Sequence, residues 1–186
     1  MKSLIINLTL FKAGWLACVF GAAAGMPLIG VAVVGIAVVV HLLMSPDARS
    51  EGVLLFLAIA LGLSWESTLV AAGIVSYDVG NLLPGLAPYW IVAMWVNFAA
   101  TLNSGMRWLR KSLPLAIAAG AIGGPMSFFA GQKAGAVTFS DTGIALAIIG
   151  VGWAVLLPLM VRISVWLEDT ELRFAPLRPE PQGKES

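Results

Sequence analysis

The sequence predicts an all-α membrane protein, a six-transmembrane-helix bundle with both termini cytoplasmic. Three observations carry this. Hydrophobic residues make up 59% of the 186 residues and charged ones only 11%, against roughly 25% charged in a soluble domain. The apolar stretches fill the whole chain, and most reach the roughly 20 residues that cross a bilayer core. The short connections between them carry basic residues almost entirely on one side.

The first helix is expected over residues 4–23. It begins like a secretory leader, but Lys12 interrupts the apolar core such a leader needs, so it is read as a retained span. A tight Gly25-Met26-Pro27 turn leads to a second helix over 27–44, with Pro27 at a first position where its missing N–H does no harm. A polar loop over 45–52, with Pro46, Asp47, Arg49 and Glu51 facing solvent, precedes a third helix over 53–75. A longer loop over 76–88 holds Asp78, Gly80, Asn81, Pro84 and Gly85. The fourth helix is expected over 89–106, the fifth over 114–131 with Pro125 as a kink, and the sixth over 143–166. Trp90, Trp108 and Trp166 fall near helix ends and read as interfacial anchors. The bundle is assigned to residues 1–167. The charged, Pro-rich stretch 168–186 is assigned to a disordered cytoplasmic tail.

Orientation follows from Lys and Arg. Lys2, Arg49, Arg107, Arg110, Lys111, Arg162, Arg173, Arg178 and Lys184 fall on the N-terminal side, and Lys133 alone on the other. The expected location is a bacterial inner membrane. Membrane lipids are the expected partners, and a net charge of +1 gives no reason to expect nucleic acid.

Within the apolar stretches a few polar residues need a reason. A charge at the bilayer centre costs about 2.5–3.5 kcal/mol or more. Lys12, Glu66 and Asn97 lie at matching depths, within about one helical turn. They form the candidate core cluster, joined by Thr101, one turn beyond Asn97 on the same stripe. Asn7, Trp15, Asn103 and Ser104 are secondary candidates. On the first helix Thr9, Lys12 and Trp15 share one face, and Asn7, Gly14, Cys18 and Gly21 a second, small-residue face. On the third, Gly62, Glu66 and Gly73 share a face that lets another helix approach. Such a cluster is either a tether between helices or a ligand, proton or substrate site. A Lys12–Glu66 ion pair with Asn97 nearby is the least costly arrangement.

Several chemistries drop out. His41 is the only histidine, so His-box di-iron sites, HExxH zinc sites and Ser–His triads are excluded. His41 reads as an interfacial or helix-capping residue. One core acid does not make an aspartyl dyad, Cys18 alone forms no intrachain disulfide, and there is no Walker A or GxGxxG motif. No metal and no cofactor is expected.

Three segments carry a family resemblance: Asn7-Leu8-Thr9-Leu10-Phe11-Lys12-Ala13-Gly14-Trp15, Thr101-Leu102-Asn103-Ser104-Gly105-Met106-Arg107-Trp108-Leu109, and Gly123-Gly124-Pro125-Met126-Ser127-Phe128-Phe129-Ala130-Gly131. They resemble the N-x3-FQ-x-GW, T-L-N-x-S-x-x-W-L and G-G-P-x-x-Y-x-x-G patterns of domain of unknown function 2878. The resemblance covers nearly the whole chain. It implies a small proteobacterial inner-membrane protein with no established activity, associated with lipid-modifying enzymes such as cyclopropane-fatty-acid-synthase-like methyltransferases. The chain departs from the pattern with Lys12 in place of Gln, Glu66 in place of Asp, Phe128 in place of Tyr and a shifted Ser104. A longer acid reaching a newly introduced base favours a structural tether. The function expected is an accessory or scaffold in membrane-lipid modification. Alternatives are a small transporter or flippase-like protein using Glu66, and a lipid-acting membrane enzyme.

Overall fold

Glycine and proline punctuate the chain, and the helices form between them. The computed structural model describes residues 2–174, with side chains from Leu4 to Thr170. Six α-helices follow in order: α1 Lys2–Ala23, α2 Pro27–Met44, α3 Ala48–Ala71, α4 Tyr89–Ala99, α5 Leu113–Lys133 and α6 Thr142–Phe174. A 3-10 turn spans Arg107–Lys111. Five of the six α-helices are long and apolar enough to cross a membrane, which makes this a multi-pass, mainly helical membrane-type fold. α4 is the exception.

α4 corrects the expected helix over 89–106. Its 11 residues reach only about 16 Å, about half a bilayer core. Beyond Ala99 the chain tightens into turns, with Thr101 N–H on Phe98 O at 2.9 Å and Leu102 N–H on Ala99 O at 3.0 Å. Side chains compete for the backbone here. Thr101 Oγ1 donates to Phe98 O at 2.6 Å, and Asn7 Nδ2 of α1 donates to Ala100 O at 2.9 Å. Irregular backbone at this depth requires burial in protein, and Ala99, Ala100, Thr101 and Leu102 are all buried.

α3 starts earlier than expected. Asp47 accepts the Ser50 N–H at 3.1 Å and caps the helix. The same contact holds the Asp47 carboxyl below the usual carboxylate range. The expected polar loop thus becomes the first turn of α3, and Glu51 swings from solvent onto the buried face shared by Leu55, Ala58, Gly62 and Glu66. At its other end α3 stops at Ala71. Gly73 takes φ 66°, Ile74 N–H returns to Leu69 O at 3.0 Å and Gly73 N–H to Val70 O at 2.9 Å. This is a glycine-dependent stop signal, so Gly73 serves a turn rather than a helix face. Beyond it β1, Val75–Ser76, pairs antiparallel with β2, Thr138–Phe139.

α5 and α6 form the closest pair. Gly120 and Gly124 let α5 lie directly on Trp153 of α6. α5 runs on through Pro125, and a side chain at Gly150 would meet Ala121 O and Pro125 Cγ at 3.2 Å. α6 continues past its expected end at residue 166, through Phe174. The rest of the expected tail lies outside the described residues. Trp108 and Trp166 are exposed, as interfacial anchors would be, but Trp90 is 1% exposed. The loop after β1 folds over it, and its Nε1 donates to Val79 O at 3.0 Å.

Candidate functional site

Glu66 is fully buried, at 0% exposure. Two elements hold it. Gly62, one turn earlier on α3, leaves room for the Trp95 ring of α4 to lie across the helix. Trp95 Nε1 then donates to Glu66 Oε1 at 2.9 Å. The turn at Gly73 brings Tyr77 back over α3, and its OH donates to Glu66 Oε2 at 3.0 Å. Burial, reinforced by the neighbouring carboxylate, pushes the Tyr77 phenol well above its ordinary value, so the OH stays a donor.

Lys12 takes no part, which corrects the expected ion pair. It is exposed, with no hydrogen bond or ion pair among the described residues. The reason is the competition between the two faces of α1. A side chain at Gly30 of α2 would meet Cys18 Cα at 2.5 Å, and one at Gly14 would meet Asn97 Nδ2 at 2.7 Å. Packing on the small-residue face gains close contact along a whole helix. It rotates Lys12 and Thr9 outward, where a long stem can snorkel.

The remaining candidates divide between two places. Asn97, 3% exposed, packs on Gly14 and donates to Phe11 O at 2.9 Å. Thr101 serves the break after α4 as described, and Ser104 Oγ makes only 3.4 Å contacts to Ala100 O and Thr101 O. Asn97 therefore joins α1 to α4 and Thr101 holds the turn after α4, rather than surrounding Glu66. Trp15 reaches across to α5, its Nε1 donating to Ser127 Oγ at 2.9 Å.

Asn7 and Asn103 belong to a polar chain that sequence reasoning missed. Asn7 Nδ2 faces His41 Nδ1 at 3.4 Å, and His41 Nε2 lies 3.1 Å from Glu51 Oε2. Asn103 Nδ2 donates to Glu51 Oε1 at 2.9 Å. Arg110 donates to Asn103 Oδ1, and to Glu168 at 2.6 and 3.1 Å. Arg107 adds a looser contact to Glu168 at 3.2 Å. The chain ties α1, α2, α3, the segment after α4, and α6 at one end of the bundle, which we call the basic end. It also places the start of α1 and the last described turns of α6 at that same end. The signal was present: Asp47 as a helix cap puts Glu51 in register with Leu55 and Ala58.

Beside Glu66 lies a cavity of about 240 Å³. Its walls are aromatic and small: Phe11 and Trp15 from α1, Trp95 and Phe98 from α4, Gly120, Gly123 and Phe128 from α5, and Trp153 from α6. Trp95 stacks on Trp153 with centroids 4.8 Å apart, and Phe98 meets Trp153 edge-on at 5.3 Å. Glu66 and Ser127 are its polar contributions. α1 and α5 flank the cavity without a packed seam of their own among the described residues. Trp15–Ser127 is the bridge between them. Such a cavity is fitted to hydrocarbon, and no group of three or more His, Cys, Asp or Glu among the described residues could hold a metal ion.

A family model described as "Protein of unknown function (DUF2878)" matches residues 4–159. No curated protein matches the chain. No solved structure matches it.

Proposed function

The chain belongs to the DUF2878 family, and for it we propose a role that family membership leaves open: it holds the hydrocarbon chain of a membrane lipid in the aromatic cavity between α1, α4, α5 and α6, as an accessory to membrane-lipid modification. The observation that carries this is the cavity itself, apolar on nearly every wall and flanked by two helices that do not seal against each other. A lipid tail entering between α1 and α5 exchanges bilayer for a fitted wall, so selectivity comes from shape and aromatic contact. Glu66 has a structural part in this reading. It accepts the Trp95 N–H and so fixes the wall, while Tyr77 holds its other oxygen. The protein sits in a bacterial inner membrane with six crossings, the fourth made by α4 together with the turned segment that carries the chain on to Asn103 and Arg110, and both ends cytoplasmic. The support is the grouping of Arg107 and Arg110 with the start of α1 at the basic end.

A second reading, a small transporter with Glu66 as substrate or proton site, draws on one observation: the carboxylate's residue lines the cavity. In that reading Trp95 and Tyr77 must release it.

Gly123 gives the test. It lines the cavity, and a Cβ placed there meets nothing within 4 Å. Gly123→Leu therefore adds bulk at the cavity wall without a clash at its Cβ. In bilayers containing chain-brominated phospholipid, wild-type tryptophan fluorescence should be quenched more than that of Gly123→Leu, because Trp15, Trp95, Trp108 and Trp153 line the cavity while the exposed Trp166 lies outside it and is quenched alike in both. Equal quenching in the two proteins refutes chain binding here.

A further inference from the structure

The aromatic cavity reaches the basic end. Met106 and Trp108 line it on either side of Arg107, and Trp108 is 48% exposed, so the cavity has its mouth there. Two lysines flank that mouth. Arg107–Lys111 is a 3-10 turn, in which residues three apart eclipse. Lys111 therefore follows Trp108 on one face, and it is exposed. On α1, Lys12 lies between Phe11 and Trp15, which line the cavity. Leu8, one turn before Lys12 on the same face, packs on Gly105, the residue before Met106. A helical Cα–Cβ bond tilts toward the N-terminus, so the Lys12 stem leads back along Leu8 toward the mouth.

Neither lysine has a hydrogen bond or ion pair among the described residues. Lys12 is the more demanding of the two. It lies about 15 Å along α1 from Lys2 by helical rise, and it is exposed. An unpaired ammonium at that depth is costly in hydrocarbon. Glu66 is the one acid in the cavity wall, and Trp95 and Tyr77 already occupy its two oxygens. At the basic end Arg110 and Arg107 share Glu168. The described chain thus supplies no anion to either lysine.

We propose that the lipid held in the aromatic cavity is a phospholipid of net negative charge, with its phosphate at the mouth between Lys12 and Lys111. This rests on chain binding in that cavity, and it makes chain and headgroup parts of one molecule. The chain runs inward past Phe98, and the phosphate stays at the basic end. A zwitterionic headgroup carries a cation of its own, which meets two lysines here and a carboxylate already shared by two arginines. A glycerol headgroup carries none.

Quenching separates this assignment from chain binding itself. Full-length protein is placed in unbrominated phosphatidylcholine bilayers with a rising share of chain-brominated phosphatidylglycerol or chain-brominated phosphatidylcholine. The signal is the quenching lost when Gly123→Leu is introduced, which reports the cavity. Half of that signal should need about fivefold less phosphatidylglycerol than phosphatidylcholine, the factor one basic residue near the surface is worth toward anionic lipid. Lys12→Gln should shrink the preference. The double variant Lys12→Gln/Lys111→Gln should erase it and keep the signal with phosphatidylcholine. Both side chains are exposed, so neither change disturbs the packing. Arg162→Gln removes an exposed cation of α6 outside this cavity and should leave the preference unchanged. Equal half-points for the two lipids, with the signal present, overturn the headgroup assignment alone. A preference untouched by Lys12→Gln, or lowered as much by Arg162→Gln, overturns it too. No signal with either lipid refutes chain binding, and this inference with it.

Discussion

Trp95 lies on Gly62 and donates its Nε1–H to Glu66 at 2.9 Å, so a neutral ring, not a cation, answers the deeper of the two buried acids of α3. The pairing explains why a carboxyl can sit at 0% exposure without Lys12. It also sets the wall of the aromatic cavity, since Trp95 stacks in turn on Trp153.

Glu66→Leu should destabilise the protein. It leaves the Trp95 N–H and Tyr77 O–H without acceptors in a dry interior, at about 1–3 kcal/mol each. Glu66→Gln, which keeps one acceptor oxygen, should cost less. Thermal unfolding in one detergent ranks the three proteins, and a Glu66→Leu midpoint equal to wild type contradicts the assignment.

Lys12→Gln should leave the melting temperature unchanged, and its coupling to Glu66→Gln in a double-mutant cycle should be near zero. A clear coupling would restore the ion pair and remove Trp95 from its role.

The α5–α6 seam should discriminate among neighbouring glycines. Gly120→Ala and Gly124→Ala drive a methyl into Trp153, whereas Gly123→Ala points into open space. Overpacking of this kind typically costs about 1–3 kcal/mol. The first two should lower the melting temperature and the third should not. Three equal values would mean the helices pack otherwise.

At the basic end, His41→Leu should destabilise more than His41→Gln, because Glu51 is buried and Gln retains a donor for it. Equal melting temperatures for the two variants would put Glu51 outside the bundle.

Reporter fusions test orientation. Fusions after Ser186 and near Asp47 should report cytoplasm, and one near Asp78 the opposite side. A C-terminal fusion reporting periplasm contradicts the proposed topology.

Much of the fold was legible because apolar length and Gly–Pro turns act locally. The turn at Gly25-Met26-Pro27 and the bounds of α2 are where the residues put them. Glu66, Asn97 and Thr101 are buried, and a charge's cost in lipid was enough to place Glu66. What could not be read was rotation. Depth put Lys12 beside Glu66, but the small face of α1 decided which way the helix turned. The break after Ala99 was hidden for a related reason. The fragment 100–106 carries Thr101, Asn103, Ser104 and Gly105, weak helix formers that do not by themselves end a helix, and the contact that makes the turned backbone tolerable comes from Asn7, on a distant stretch of chain. Glu51 was misplaced because one capping residue, Asp47, moved the start of α3.

Photo-crosslinking tests the central claim most directly. A phospholipid with a diazirine at mid-chain is incorporated into bilayers with the full-length protein, activated, and the labelled residues are mapped by peptide mass spectrometry. Chain binding in the aromatic cavity predicts label on Phe11, Phe98 and Phe128, which line it, and loss of that label in Gly123→Leu. Label confined to outward-facing residues such as Phe20, Ile36 and Val151, unchanged by Gly123→Leu, would contradict it.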